Sequence, residues 1–293
     1  MRKQLVKTTE KLLNENNNIV LLLGDIGVYG FKEAFKIFPG RVYNIGILEQ
    51  ATIGVAAGMS MQGLIPIIHT IAPFLVERCY EQLKVDFCYH QLGGNFISVG
   101  GSYDYSSLGP THHCPGDVGI LKYLPGMEIL VPGTSQEFDS LFKECYNNNK
   151  PTYIRLSEFE NDLSFDTKLG KGVIIKKGTS ATVIAIGPTL TKTLNAVSDL
   201  DVTLLYYTSV NPFDVELIKN HNNKGKIFIV EPYYRGSLLN EIVEIFKPNH
   251  LKIGGIGVPI KFLNNYGLKN DHDIALGFTE KYIYDRIKDF IIE

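Results

Sequence analysis

Short apolar runs alternate with stretches of helical period along almost the whole chain, from the amphipathic opening MRKQLVKTTEKLL and the run IVLLL onward. Runs bounded by turn residues read as strands, and the periodic stretches between them as crossover helices, which predicts the α/β class. The first series places strands at Ile19–Leu23, Val42–Ile45, Ile65–His69, Phe96–Val99, Ile129–Val131 and Tyr153–Leu156, with helices near Leu48–Met61, Phe74–Val85 and Ser135–Tyr146. One sheet of about six strands is expected from it. The pattern then breaks into the polar stretch SEFENDLSFDTKLGKG. A second series follows, with strands at Ala181–Ile186, Thr203–Tyr207, Ile227–Val230 and Leu251–Ile256 and helices near Thr189–Val197, Ser237–Phe246 and Glu280–Ile292. Two doubly wound domains are expected, residues 1–157 and 179–293, joined by a linker over 158–178.

Composition narrows the function. The 293 residues carry 29 Lys+Arg against 31 Asp+Glu, a net −2, which excludes an obvious nucleic-acid binder. Hydrophobic residues at 44% predict a sizeable core. No apolar run approaches the roughly 18 residues that span a bilayer, and the opening lacks a signal-peptide core, so a cytoplasmic protein without a membrane partner is expected. Cys79, Cys88, Cys114 and Cys145 form no CxxC pair and read as free, mostly buried thiols.

Generic motifs say little by themselves. In GDIGVYG, Gly24 to Gly30, the glycine spacing misses the dinucleotide fingerprint. Gly254-Gly255-Ile256-Gly257 runs into Pro259 before a helix can start and reads as a turn. His112-His113-Cys114 carries zinc-type ligands, but adjacent ligands need partners from elsewhere, and Pro110 and Pro115 favour a rigid binding loop at a strand end. Glu49 opens the helix LEQATIGVAAGMSMQG, where a first-turn carboxylate is ordinary. The bareness of that helix is not ordinary. Glycine inside a helix costs about 1 kcal/mol relative to alanine, so Gly54 and Gly58 suggest that something packs closely against it.

The run YNIGILEQATIGVAAGMSMQGLIPIIHTIAPFLVERCYEQLK and the later GPTHHCPGDVGILKYLPGMEILVPGT resemble the pyrimidine-binding domain of transketolase-type thiamine diphosphate enzymes. The elements after Lys177 are similar to the C-terminal domain of that family. The resemblance implies that Glu49 shares a proton with N1′ of the cofactor pyrimidine, so that the exocyclic nitrogen becomes a base for the thiazolium carbon. It implies that Phe74, with Ile71 in the same Thr70–Phe74 motif, packs against the pyrimidine. It puts His112 near the reacting carbonyl as a proton-transfer group, with His113 beside it. Asp25 matches an acidic residue near the cofactor or the partner interface, and Arg2 an arginine that grips a substrate phosphate. No GDG occurs in the chain. The resemblance therefore implies a second polypeptide, carrying the GDG…N motif that holds Mg²⁺ and the diphosphate, in an α2β2 assembly of a split transketolase.

Three positions depart from the family pattern: Leu108 stands where an acidic residue is expected, Gly100 where a histidine is, and Glu158 where a phosphate-binding arginine is. These departures point away from ordinary pentose phosphates and towards ketol transfer on a modified or nucleotide-linked sugar, with Asp104, Tyr103 or Tyr105 replacing lost contacts. Three alternatives stay open: the β subunit of a 2-oxo-acid dehydrogenase, a 1-deoxyxylulose-phosphate-synthase-like activity, although such enzymes are normally single long chains, and a non-catalytic structural or regulatory subunit.

Overall fold

A computed structural model describes residues 1–292. Its strands are β1 (Ile19–Leu23), β2 (Val42–Asn44), β3 (Ile65–Ile71), β4 (Gly94–Val99), β5 (Glu128–Leu130), β6 (Pro151–Arg155), β7 (Gly172–Lys176), β8 (Ala181–Ile186), β9 (Val202–Tyr207), β10 (Ser209–Asn211), β11 (Lys226–Tyr234) and β12 (Lys252–Val258). They build two sheets, ordered β10-β5-β6-β4-β3-β1-β2 and β12-β11-β8-β9-β7. The class is α/β, as the alternation predicts. β1, β4 and β6 are buried along their whole length, and in β1 that leaves IVLLL a continuous apolar run rather than an alternating one.

The first sheet has seven strands rather than about six. The extra one, β10, comes from the second half of the chain and pairs antiparallel with β5, Ser209 opposite Leu130. A three-residue strand has too few positions to show a period, so only the long-range pairing reveals it. The expected linker also needs correction. Within 158–178, β7 pairs antiparallel with β9 and closes the edge of the second sheet, and the stretch before it is tied down rather than free. The Asn161 side-chain amide donates to the Gly187 carbonyl at 3.0 Å, and the Phe165 N–H donates to Glu137 at 3.1 Å. Polar residues there satisfy both halves instead of water.

The helix expected over Phe74–Val85 is broken. Ala72–Leu75 makes one turn, and Tyr80–Gln82 runs into a wide π turn at Leu83–Tyr89. The Pro73 carbonyl accepts from both Glu77 and Arg78 N–H, at 3.0 and 3.1 Å, and the Cys79 thiol donates to the Phe74 carbonyl. Arg78 N–H thus reaches back five residues instead of taking the Phe74 carbonyl, so the α-helix stops and the chain turns, carrying Arg78 with it.

The parallel register Leu23↔Asn44, Leu23↔His69 and Ile71↔Val99 brings the carboxyl ends of β1, β2, β3 and β4 to one edge. The segments carrying Asp25, Glu49, Phe74 and the loop 100–116 all leave the sheet there, where open α/β sheets hold ligands.

Candidate active site at the carboxyl edge of the first sheet

Glu49 is the first residue of the helix Glu49–Met61. The approach from β2 is held by Asn44, whose side-chain oxygen accepts from Gly46 N–H at 3.1 Å and Asp25 N–H at 3.0 Å while its amide donates to the Asp25 carboxylate at 2.8 Å. Gly46 takes φ +83°, which an L side chain rarely adopts, and this bend swings the chain into the helix. Asp25 therefore ties the loops after β1 and β2 together.

The Glu49 side chain is buried, and the one hydrogen bond it accepts among the described residues comes from Arg78 Nη1 at 2.7 Å. The same guanidinium lies 4.3 Å from the centre of the Phe74 ring. Phe74 in turn meets His112 edge-on, ring centres 5.4 Å apart. Carboxylate, guanidinium, phenyl ring and imidazole thus form one contiguous group. Ile71, buried at the end of β3, sets the start of the short helix that presents Phe74. His112 Nδ1 sits 3.0 Å from the Thr111 hydroxyl.

The other two side chains of the His-His-Cys run point elsewhere. His113 is buried against His272, ring centres 5.8 Å apart, and burial lowers its pKa, helped by the neighbouring imidazoles. The Cys114 thiol donates to Glu77, and burial raises its pKa far above the usual thiol value. The three side chains of this run therefore meet three different partners: Thr111, His272 and Glu77. All four cysteines are free and buried.

Arg2 lines a second cavity of about 320 Å³ with Asp25 and His69. His69 is buried, its Nδ1 2.8 Å from the Ile97 carbonyl, and loss of hydration pushes its pKa down to about 4. Sequence gives no signal for this neutral imidazole beside an arginine, because on β3 it sits within an apolar run.

Tyr103 and Asp104 lie apart from the Glu49 group. They line a cavity of about 370 Å³ between the two halves, with Arg155, Lys192, Lys269 and Asp273. The Tyr103 hydroxyl donates to Asp273 at 2.7 Å, and Asp104 accepts from Glu158 N–H at 3.0 Å. Burial pushes the Asp104 pKa up to about 6 against the pull of Lys269 and Arg155. Below the loop, Arg155 is fully enclosed, its Nε donating to Asp117 at 2.7 Å and its Nη2 to Ser102 at 2.7 Å. Asp104, expected among the substrate contacts, is thus engaged with its own chain and Tyr103 with the second half. The departure at 100 has a physical reason. A Cβ on Gly100 would stand 2.4 Å from the Tyr105 ring, so that ring fills the place of a side chain. Glu158 is exposed, and its backbone, not its carboxylate, meets Asp104.

Residues 1–161 match the family described as transketolase, pyrimidine binding domain. A 33.6 kDa protein of the fasciation locus of Rhodococcoides fascians is 34% identical over 288 residues, 97% of this chain and 92% of that one. A subunit of the apulose-4-phosphate transketolase of Phocaeicola vulgatus is 31% identical, covering 93% of this chain and 91% of its own. A solved structure, a split gene transketolase described as an inactive beta4 tetramer, superposes with a TM-score of 0.87 at 25% identity, covering 99% and 97% of the two chains. These matches, with the Glu49, Phe74 and His112 motifs gathered at one edge, show that the chain belongs to the transketolase family, as the C-terminal, pyrimidine-binding half of a split transketolase.

Proposed function

We propose that this chain is the C-terminal subunit of a two-subunit, thiamine diphosphate-dependent enzyme that moves a two-carbon ketol unit between sugars. One observation carries the reading: a single flat, N–H-bearing group, the Arg78 guanidinium, touches the Glu49 carboxylate and the Phe74 ring at once. An aminopyrimidine needs the same two contacts, one carboxyl oxygen at a ring nitrogen and one aromatic neighbour, so these residues fit it. When bound, thiamine diphosphate supplies the carbon nucleophile that attacks a ketose carbonyl. Glu49 orients the pyrimidine and shares its N1′ proton. Phe74, presented by the short helix that Ile71 starts, holds the ring against rotation, and His112, edge-on to Phe74, moves a proton at the substrate oxygen. Asp25 acts through Asn44 by fixing the loop that delivers Glu49.

Mg²⁺ and the cofactor diphosphate fall to a partner chain in this reading, within an α2β2 assembly. The helix Glu49–Met61 supports a partner at this face. A Cβ on Gly58 meets nothing within 4 Å and one on Gly54 only a carboxylate oxygen at 3.9 Å, so nothing inside this chain requires either glycine. Ile47, Leu48, Val55 and Met61 are exposed around them. A bare helix flanked by uncovered apolar side chains suits close approach by another chain. The relatives named as a transketolase subunit and as a beta4 tetramer are themselves parts of assemblies.

The donor and acceptor are proposed to lie outside the xylulose 5-phosphate and ribose 5-phosphate pair, because Tyr105 fills the space at Gly100 and no arginine stands at 158. One relative is named for apulose 4-phosphate. The test is the reconstituted enzyme with wild-type or Glu49→Ala chain. Loss of ketol transfer with the partner still bound supports the role of Glu49, and unchanged turnover overturns it. Efficient use of the two ordinary pentose phosphates would sink the altered-substrate reading.

A further inference from the structure

Arg78 lies in the run that marks the site without a role assigned to it there, yet it touches both residues on which a pyrimidine would rest. Glu49 is 3% exposed, whereas the Arg78 side chain is 40% exposed, and its hydrogen bond to Glu49 is the only one it makes among the described residues. The turn that carries it is irregular, closed by the doubly accepting Pro73 carbonyl rather than by a continuing helix. Arg78 therefore reaches into the site from its rim, holding a buried carboxylate from one side and lying against an aromatic ring from the other.

We propose that Arg78 is a latch: in the chain without cofactor it occupies the place of the aminopyrimidine, satisfying Glu49 and covering Phe74, and cofactor entry swings it out to solvent. The inference rests on the functional reading above. A buried carboxylate with no partner is strongly unfavourable, so Glu49 needs a cation wherever no pyrimidine N–H faces it. Contacts made by a half-exposed guanidinium are weak, and the same exposure gives it somewhere to go. Because only the unlatched form admits the cofactor, the apparent affinity is reduced by the unlatched fraction. Arg78 is a positioning residue, acting on the cofactor through Glu49.

The experiment titrates the assembled two-subunit enzyme with thiamine diphosphate at saturating Mg²⁺ by calorimetry, following the near-ultraviolet circular dichroism of the bound pyrimidine in parallel. Arg78→Ala should lower the apparent Kd roughly three- to tenfold, the sum of a half-exposed ion pair and a cation–π contact. Arg78→Lys should fall between Arg78→Ala and wild type. In a Glu49→Gln background the effect of Arg78→Ala should shrink, since the ion pair is already gone. Unchanged or weaker binding by Arg78→Ala, with wild-type complex binding normally, overturns the latch and leaves the functional reading standing. A wild-type complex that binds no thiamine diphosphate overturns both.

Discussion

Asp104 offers a quantitative check on how the interdomain cavity is built. Its carboxyl is buried, with its pKa raised from an ordinary 3.8 to about 6, loss of hydration outweighing Lys269 and Arg155. A raised carboxylate holds its proton more tightly folded than unfolded. The stability tied to that proton is fully present below the unfolded value and lost as pH rises through the folded one. A shift of that size corresponds to about 3 kcal/mol lost near pH 7. Asp104→Asn removes the titrating charge but forfeits one of the two acceptor contacts, to Glu158 N–H or to the Ser157 hydroxyl, worth about 1 kcal/mol. The net expectation is a stabilisation of roughly 1–2 kcal/mol at pH 7.5, or a melting temperature higher by roughly 2–3 °C. At pH 5 the wild-type penalty is smaller, so the advantage of the variant should shrink by about 1.5 kcal/mol. Urea unfolding of both proteins at the two pH values measures this, and titratable groups common to both cancel in the difference. An advantage that is equal at both pH values, or grows towards pH 5, would refute the burial argument for Asp104.

Two further outcomes follow from other parts of the fold. Arg155→Met leaves Asp117 as an uncompensated buried charge beside Tyr153, so thermal or urea unfolding should show a loss of roughly 3–5 kcal/mol, partly recovered by adding Asp117→Asn. Gly58→Ala should leave the isolated chain as stable or more stable by roughly 0.5–1 kcal/mol, there being room for the methyl group, while lowering recovery of the partner chain in co-purification.

The site is legible in sequence where its chemistry is local. Glu49, Phe74 and His112 each sit in a short run whose likeness to the transketolase family suggests a role, and the parallel register then carries them to one edge. It is illegible where a partner lies far along the chain. Tyr103 and Asp104, placed among substrate contacts by their position in a loop, are claimed by Asp273 and by the Glu158 backbone. No signal in the loop itself announces those neighbours. Arg78 stands in the Phe74 segment as one of two cations, but its direction depends on the helix breaking after Leu75, which a continuous helical period conceals.

The alternation of apolar runs with helical periods determined the α/β class and the order of most strands, because burial on both faces leaves a mark on consecutive residues. It also determined that Glu49 begins a helix poor in side-chain bulk. Only the tertiary structure decided that β10 crosses into the first sheet, that β7 turns an expected linker into an edge strand, and that Glu49 is paired with Arg78. Each of those is a pairing between segments whose separate sequences are compatible with several partners. Which partner is taken depends on where the rest of the chain leaves a free edge or a buried charge.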